Sequence, residues 1–470
     1  MNHPARPINK MMIIVPLLFI CSCTNFKNRI TGVKISFPGE DVVKAQLEYS
    51  TGEDMSTCVK YWIKGQEVSP LVSQISGPQR NHRIFLPDLQ PGQQYGFHVL
   101  SSDSKQTKLS GDYFFRTIEY SRENVDTFRV VRSSTTALPA VFEQGYILVY
   151  RREDPGTLFL FDTKGNIVWH HQLKDAGFKV VHFSKDQTFL ALIGTKGYET
   201  GYGNAILELS LKGDTLLYLK KGQNDFTQTI HHEILLNPKN EIVTLCNEER
   251  IYDLRSIGGL EKDTVKGDGI LVLDRQGRKA WKWTIFDALD PIRDETILKS
   301  KKDWMHANSI SFDKDGNYLV SFYNNGQIWK IDAGTGNVIW KLGRNGDFKI
   351  PAWASFDEAH AVHVNNQGCI MFFDNGSKNH LSKSLAFRLD ETAKIAYPVI
   401  NTRLPPQLFN DRMGSSYLVS DALLHCISKH KTVALTNFQG EFLWELKGNK
   451  LMSYRAEFIA KEKLDPYMIN

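Results

Sequence analysis

Apolar and polar residues alternate at period two through most of the chain, and long stretches with helical period are missing, so the elements predicted are strands. Between Thr31 and Thr117 the strands are short and separated by turn residues, as in "KAQLEYS", "VKYWIKG" and "HRIFLPDLQPGQQYGFHVLSS". From about Val125 onward the pattern becomes a repeat. An aliphatic strand, a turn with Asp or Asn and Gly, and a second aliphatic strand ending on an aromatic recur six times. The copies are "FDTKGNIVW" ending at Trp169, "LSLKGDTLLY" at Tyr218, "LDRQGRKAW" at Trp281, "IDAGTGNVIW" at Trp340, "LDETAKIAY" at Tyr397 and "TNFQGEFLW" at Trp444. They are spaced roughly fifty to sixty residues apart, which suits one four-stranded antiparallel blade each.

The fold class expected is therefore all-β. Residues 125–470 are expected to form a six-bladed β-propeller, and residues 31–117 a small β-sandwich. A β-helix or stacked sandwiches fit the strand-turn-strand hairpins with closing aromatics less well. In the sandwich, "LQPGQQYGFHV" resembles the tyrosine corner of fibronectin type III-like domains, with Tyr95 opening a strand after a Pro-Gly turn. No chemistry is legible there, and a spacing or docking role is expected.

A second periodicity precedes each outer hairpin. The inner hairpins read "VVHFSKDQTFLALI", "IHHEILLNPKNEIVTL", "HANSISFDKDGNYLV" and "HAVHVNNQGCIMFF". In three of them a polar residue stands five positions before the turn: His232 before Asn237, Asn308 before Asp313, and His360 before Asn365. Equal offsets on equivalent strands mean equivalent places in space. The innermost strand of a blade lines the central channel, so these residues should converge at one mouth of it. His306, two residues before Asn308, is expected on the same face one step further out, and His231 is an alternative to His232. His170, His171, His182 and His363 are read as structural histidines that hydrogen-bond within or between blades.

Charge changes this picture little. The 470 residues carry a net charge of +5 with basic and acidic residues mixed throughout, so no nucleic-acid surface is implied. The N-terminus does add something. Arg6 and Lys10 precede the apolar run Met11–Ile20, too short to span a bilayer, and "ICSC" follows. Residues 1–23 resemble a lipoprotein signal peptide ending at a lipidated Cys23, with a plain secretory signal as the alternative. The mature chain is then expected at the periplasmic side of an outer membrane, tethered by its lipid anchor. Cys58, Cys246, Cys369 and Cys426 are scattered without metal-ligand spacing and are expected to be buried free thiols.

Three histidines could also hold a metal, but Glu233 is the only adjacent acid and strand alternation turns it away from His232, so no metal is expected. "KIDAGTGNVIW" resembles the repeat of quinoprotein propellers, yet only this copy has the full form. No cofactor is expected.

The order "DWMHANSISFD", "GNYLVS", "WKIDAGTGNVIWKLG", "GDF", a His-containing segment, "FFDNG" and "YRAEFI" resembles the bacterial arylsulfate sulfotransferases. The resemblance covers nearly all of the mature chain and implies a secreted six-bladed propeller behind a small sandwich. It implies transfer of a sulfuryl group from a phenolic sulfate ester to a phenol without a nucleotide sulfate donor. By motif, His360 takes the place of the nucleophilic histidine that carries the sulfuryl group. His306 and His232 take the places of histidines that bind sulfonate oxygens or shuttle the phenolic proton, and Asn308 that of a sulfonate donor. The partners implied are a phenolic sulfate donor, a phenol acceptor, the membrane through the lipid, and a second copy in a homodimer.

Two positions depart from the family pattern. Tyr323 stands where members have an arginine, and Ala359 where they have a glutamine; Lys383 is a weak substitute cation. The alternative reading is a non-catalytic propeller that binds sulfated or phenolic ligands or a protein partner. A hydrolase or a metal-dependent lyase or oxidoreductase is a more distant option.

Overall fold

The computed structural model describes residues 30–38, 41, 43–102, 107–119, 128–131, 137–199, 201–449 and 451–468. The signal segment 1–23 and Cys23 lie outside the described residues. The fold is all-β. Among the described residues no helix is long and apolar enough to cross a membrane. Cys58, Cys246, Cys369 and Cys426 are all free thiols.

The chain forms two compact units. One comprises Met1–Val125 with Ile167–Gln172 and Asp465–Asn470, the other Asp126–Asn166 with Leu173–Leu464. The first unit is built around one long strand, Ala45–Ile63. Its first half pairs antiparallel with Thr31–Ser36 and Ser76–Leu86, and its second half with Gln94–Ser102 and Leu71–Val72. Alternation sends Leu47, Tyr49, Val59, Tyr61, Phe97 and Val99 into one core. The Tyr95 hydroxyl accepts the Gln90 N–H at 2.8 Å, which ties the Pro-Gly turn to the strand that follows it.

The second unit is a succession of six antiparallel sheets. The first contains Thr157–Asp162, Tyr146–Tyr150 and Glu457–Ile459 in that order. The second begins at Ala176–Phe183, the third has Ile230–Leu236, and the fourth, fifth and sixth begin at Ala307–Phe312, Ala359–Val364 and Ser415–Val419. These leading strands pack against one another in chain order. The circle closes where the Ala456 N–H approaches the Ser415 hydroxyl, at 3.5 Å. Both chain ends take part: Glu457–Ile459 completes the first sheet and Arg129–Val131 the sixth.

Packing between neighbouring sheets explains the sequence pattern. Successive residues of Tyr318–Phe322 serve two cores. Val320 packs with Trp283, Trp304 and Trp329, while Leu319 packs with Trp340, Phe356 and Phe372. A strand covered on both faces reads as a continuous apolar run, as "TFLALIG" does. The closing aromatics lie on the outer strands, and Trp340 and Trp444 are fully buried. Tyr218 is not: Leu217 occupies the register place that Trp340 and Trp444 hold, and the one-residue slip turns Tyr218 outward.

Candidate active site

Three leading strands break their ladders at the places the offset singled out. Pairing skips between His231 and Ile234, between Ala307 and Ser309, and between His360 and His363. Each skip is a β-bulge, which re-aims side chains away from strict alternation. The second sheet skips between Phe178 and Val180, around Lys179. Lys179 stands five residues before its turn residue Ser184, so four inner strands carry a polar residue at the same offset. Lys179 immediately precedes the segment "VVHFSKDQTFLALI", one residue outside the pattern read from the sequence.

Glu233 is buried and bonded to His182, 3.5 Å from Arg455. One expectation built on alternation is corrected. His306 is not on the strand that carries Asn308. It lies in the turn ahead of Ala307–Phe312, with Met305 and His306 both left-handed at φ +73° and +54°. That backbone costs on the order of 1–3 kcal/mol per residue and persists only where the surroundings hold it. Here the His306 carbonyl accepts the Tyr323 N–H at 3.0 Å, the Met305 carbonyl the Asn324 N–H at 3.1 Å, and the Asp303 carbonyl the Asn324 side chain at 2.8 Å.

Five rings close a circuit. Centroids are 5.2 Å apart for His232 and His306, 5.7 Å for His306 and Tyr323, 5.4 Å for Tyr323 and His360, 6.3 Å for His360 and Tyr454, and 5.5 Å for Tyr454 and His232. His360 is thus flanked by two tyrosines and faces the His306–His232 edge.

The three histidines differ in charge. Burial, with Arg455 and His306 nearby, holds His360 well below the usual imidazole range. Its Nδ1 lies 3.5 Å from the Glu358 carbonyl, which can only accept, so the proton belongs on Nδ1 and the lone pair on Nε2. Burial, His231 and His306 likewise keep His232 neutral, well below its ordinary value. Its Nδ1 is 2.8 Å from that of His231, which fixes one ring as donor and the other as acceptor. Burial opposes a proton on His306 too, but the 2.7 Å bond from its Nδ1 to Asp303 and the charge of that carboxylate outweigh it and raise its pKa. Burial pushes Asp268, beside His231, up to about 7.

Other members of the expected site take different parts. Asn308 is fully buried; its Nδ2 donates to the Ala359 carbonyl at 3.0 Å and its Oδ1 accepts from Ser321. It therefore clamps the fourth and fifth sheets at the site, and one of its N–H groups remains available. Tyr323 fills the gap between His306 and His360, and its hydroxyl points to the Asp411 carbonyl. Burial and Glu358 push that hydroxyl up to about 12, so it stays neutral. Lys383 is on the third strand of its sheet, bound to Asp374 at 3.2 Å and to the Ser355 carbonyl, and none of the ring contacts involves it.

The cations at this place were not foreseen. Arg152, buried just beyond the strand Tyr146–Tyr150, sets its guanidinium 5.2 Å from the Tyr454 ring centroid, and its charge acts on His232. Its backbone carbonyl accepts Lys179 at 3.2 Å. Gly177 makes room: a Cβ there would stand 2.0 Å from that carbonyl oxygen. Arg455 lies 4.0 Å from the same tyrosine ring, but it also faces Glu233. Nothing in the local sequence of Arg152 marks it, because only closure of the circle brings it to Tyr454. Among the described residues no group of three His, Cys, Asp or Glu side chains is arranged to hold a metal ion.

A neutral imidazole, a protonated imidazole across from it and a buried guanidinium beside them suit transfer of an anionic group between oxygen atoms. The model of the arylsulfotransferase (ASST) family matches residues 131–401, more than half of the chain. No curated protein matches it. Among solved structures, the chain is similar to a Bacteroides caccae protein of unknown function, with 13% identity, 67% of this chain and 99% of that chain covered, and a TM-score of 0.43. It is also similar to virginiamycin B lyase from Staphylococcus aureus, at 12% identity, 68% and 99% coverage and a TM-score of 0.33. YCF48 from Cyanidioschyzon merolae follows at 11% identity, 69% and 89% coverage and a TM-score of 0.34.

Proposed function

The chain belongs to the arylsulfotransferase family, and from that premise we propose that it moves a sulfuryl group between phenolic oxygens through a sulfohistidine at His360, with no nucleotide donor. The observation that carries this reading is the pairing of a neutral His360 with a protonated His306 on opposite sides of the Tyr323 ring.

In the first half-reaction the Nε2 lone pair of His360 forms a bond to sulfur and the sulfur–aryl oxygen bond breaks. The departing phenolate takes the proton of His306, which becomes neutral. In the second half an acceptor phenol gives its proton to His306 as its oxygen attacks sulfur, and the nitrogen–sulfur bond breaks. Both histidines return to their starting states. The charge in such a loose transition state is spread over the sulfonate oxygens and the leaving oxygen. Arg152 and the second Asn308 N–H donate to it. Arg152 takes the task that an arginine at the Tyr323 position has in other members, and Tyr323 lines the space with a neutral ring. His232 offers Nε2 to a sulfonate oxygen or to the phenol.

In this reading the six sheets are the blades of a six-bladed propeller, the N-terminal unit is a fibronectin type III-like docking or spacing module, and the mature chain is a periplasmic lipoprotein anchored at Cys23.

The test is direct. Residues from about 25 onward are mixed with 4-nitrophenyl sulfate, with and without phenol, in chelator and without nucleotide. Acceptor-dependent release of nitrophenolate that disappears in His360→Ala supports the reading. Release indifferent to acceptor would make the protein a sulfatase, and no release from folded protein over a broad donor panel would sink the catalytic reading.

A further inference from the structure

Beside the ring circuit lies a cavity of about 310 Å³ whose walls include Tyr198, Tyr202, Thr229, Asn247 and Lys266. That is the lower end of small-molecule pockets and suits a single-ring ligand. It adjoins the site through Tyr202 and His231. The Tyr202 ring meets His231 edge-on at 5.9 Å, and His231 touches His232. Lys266 belongs to the same neighbourhood: its main chain bonds Trp304, two residues before His306, and its charge acts on His306, Asp303 and Asp268.

The cavity's position fits in-line displacement. When His360 attacks sulfur, the leaving oxygen and the aryl group behind it extend away from His360. The side of the circuit facing His360 is the His306–His232 edge, and the cavity lies on the His231 side of it, joined through Tyr202. Its chemistry is more particular than an aryl slot needs. The Lys266 ammonium holds the Tyr202 hydroxyl at 2.9 Å and makes no ion pair among the described residues. Lys221 reaches the Thr229 hydroxyl at 2.8 Å, and Tyr198 meets the same hydroxyl at 2.8 Å. The Asn247 side chain has no hydrogen-bond partner among the described residues. The one acid on the wall is the exposed Glu199, and Asp303 and Asp268 lie close enough behind Lys266 to act on its charge.

We propose that this cavity seats the aryl group and selects phenols and phenolic sulfates that carry a carboxylate or another acidic group on the ring, with Lys266 receiving that group. This specificity rests on the sulfotransferase reading. Tyr198 and Tyr202 border the ring, Asn247 donates to the acid alongside Lys266, and the phenolic oxygen is left toward His306 and His232.

The test uses the full mature chain with 4-nitrophenyl sulfate as donor and phenol, 4-hydroxyphenylacetate and tyramine as acceptors. The expected result is a kcat/KM for 4-hydroxyphenylacetate about tenfold or more above phenol, with tyramine below phenol. Lys266→Met brings the ratio of acidic to neutral phenol close to one, and Asn247→Ala, a simple truncation, lowers it in the same direction. Equal kcat/KM for the three acceptors, or a ratio unmoved by both variants, overturns the specificity and leaves sulfuryl transfer standing. If no phenol accepts, the sulfotransferase reading fails instead. Calorimetry of 4-hydroxyphenylacetate against wild type and Lys266→Met then scores the cavity alone: binding lost in the variant supports it, and no binding to wild type overturns it.

Discussion

The Nδ1 of His306 lies 2.7 Å from Oδ2 of Asp303, within one turn held by left-handed backbone at Met305 and His306. A carboxylate there favours the imidazolium, and the bond to Nδ1 leaves Nε2–H for the substrate. In the proposed mechanism the pair makes His306 the acid, while His360 is kept neutral by burial, Arg455 and His306.

The pH profile follows from that contrast. The active form has His306 protonated and His360 neutral. Because the His306 pKa is raised, activity is lost as pH rises through that value; because the His360 pKa is depressed well below the ordinary range, the acidic limb lies far below neutrality. Asp303→Asn removes the charge that raises His306, so the alkaline limb of kcat/KM moves to lower pH and the acidic limb stays. The check is a pH–rate profile of the two proteins; an alkaline limb unmoved by Asp303→Asn would remove His306 from the role of acid.

His360→Ala is expected to cost at least about three decades in kcat/KM, as loss of a covalent nucleophile does. Wild type should show ping-pong kinetics and should retain radiolabel from a sulfate-labelled donor when acceptor is left out, in an acid-labile form. His360→Ala should retain none.

Arg152→Met is expected to lower kcat/KM by roughly two to three decades, the usual cost of losing one preorganised donor to developing charge. Arg152→Lys should recover part of it, since the charge returns without the planar fork. Steady-state kinetics with an unchanged circular dichroism spectrum tests this, and full activity in Arg152→Met would remove it from the site.

A separate prediction concerns stability. His182, on the leading strand of the second sheet, is held between Glu233 and Glu457, so the closing strand is tied to its neighbours by a buried imidazolium. Burial opposes that charge, but the two carboxylates raise His182 to about 10. A folded pKa above the unfolded value gives stability that is full below about 6.5 and lost as pH rises toward 10. His182→Ala leaves two buried carboxylates short of a partner and should cost about 3–5 kcal/mol. Urea melts at pH 6 and pH 10 measure both effects: the gap between wild type and variant should narrow at the higher pH.

Much of this protein was determined by its sequence alone. Period-two alternation and six closing hairpins specify an all-β chain of repeated sheets, because successive residues of a strand point to opposite faces. The matched offsets of His232, Asn308 and His360 carry over into matched bulges, since equal spacing from equivalent turns sets equal depth along each strand. What the sequence did not determine depends on breaks in that regularity and on closure of the circle. Alternation ceases to apply where left-handed backbone carries His306 off the strand. Arg152, Tyr454 and Arg455 come from near the two ends of the unit, and neighbours far apart in the chain meet only when the last leading strand docks beside the first. Local sequence has no period for that distance. The cation beside His232, the salt-bridged clamp at His182 and the cavity behind the histidines were therefore decided by tertiary structure.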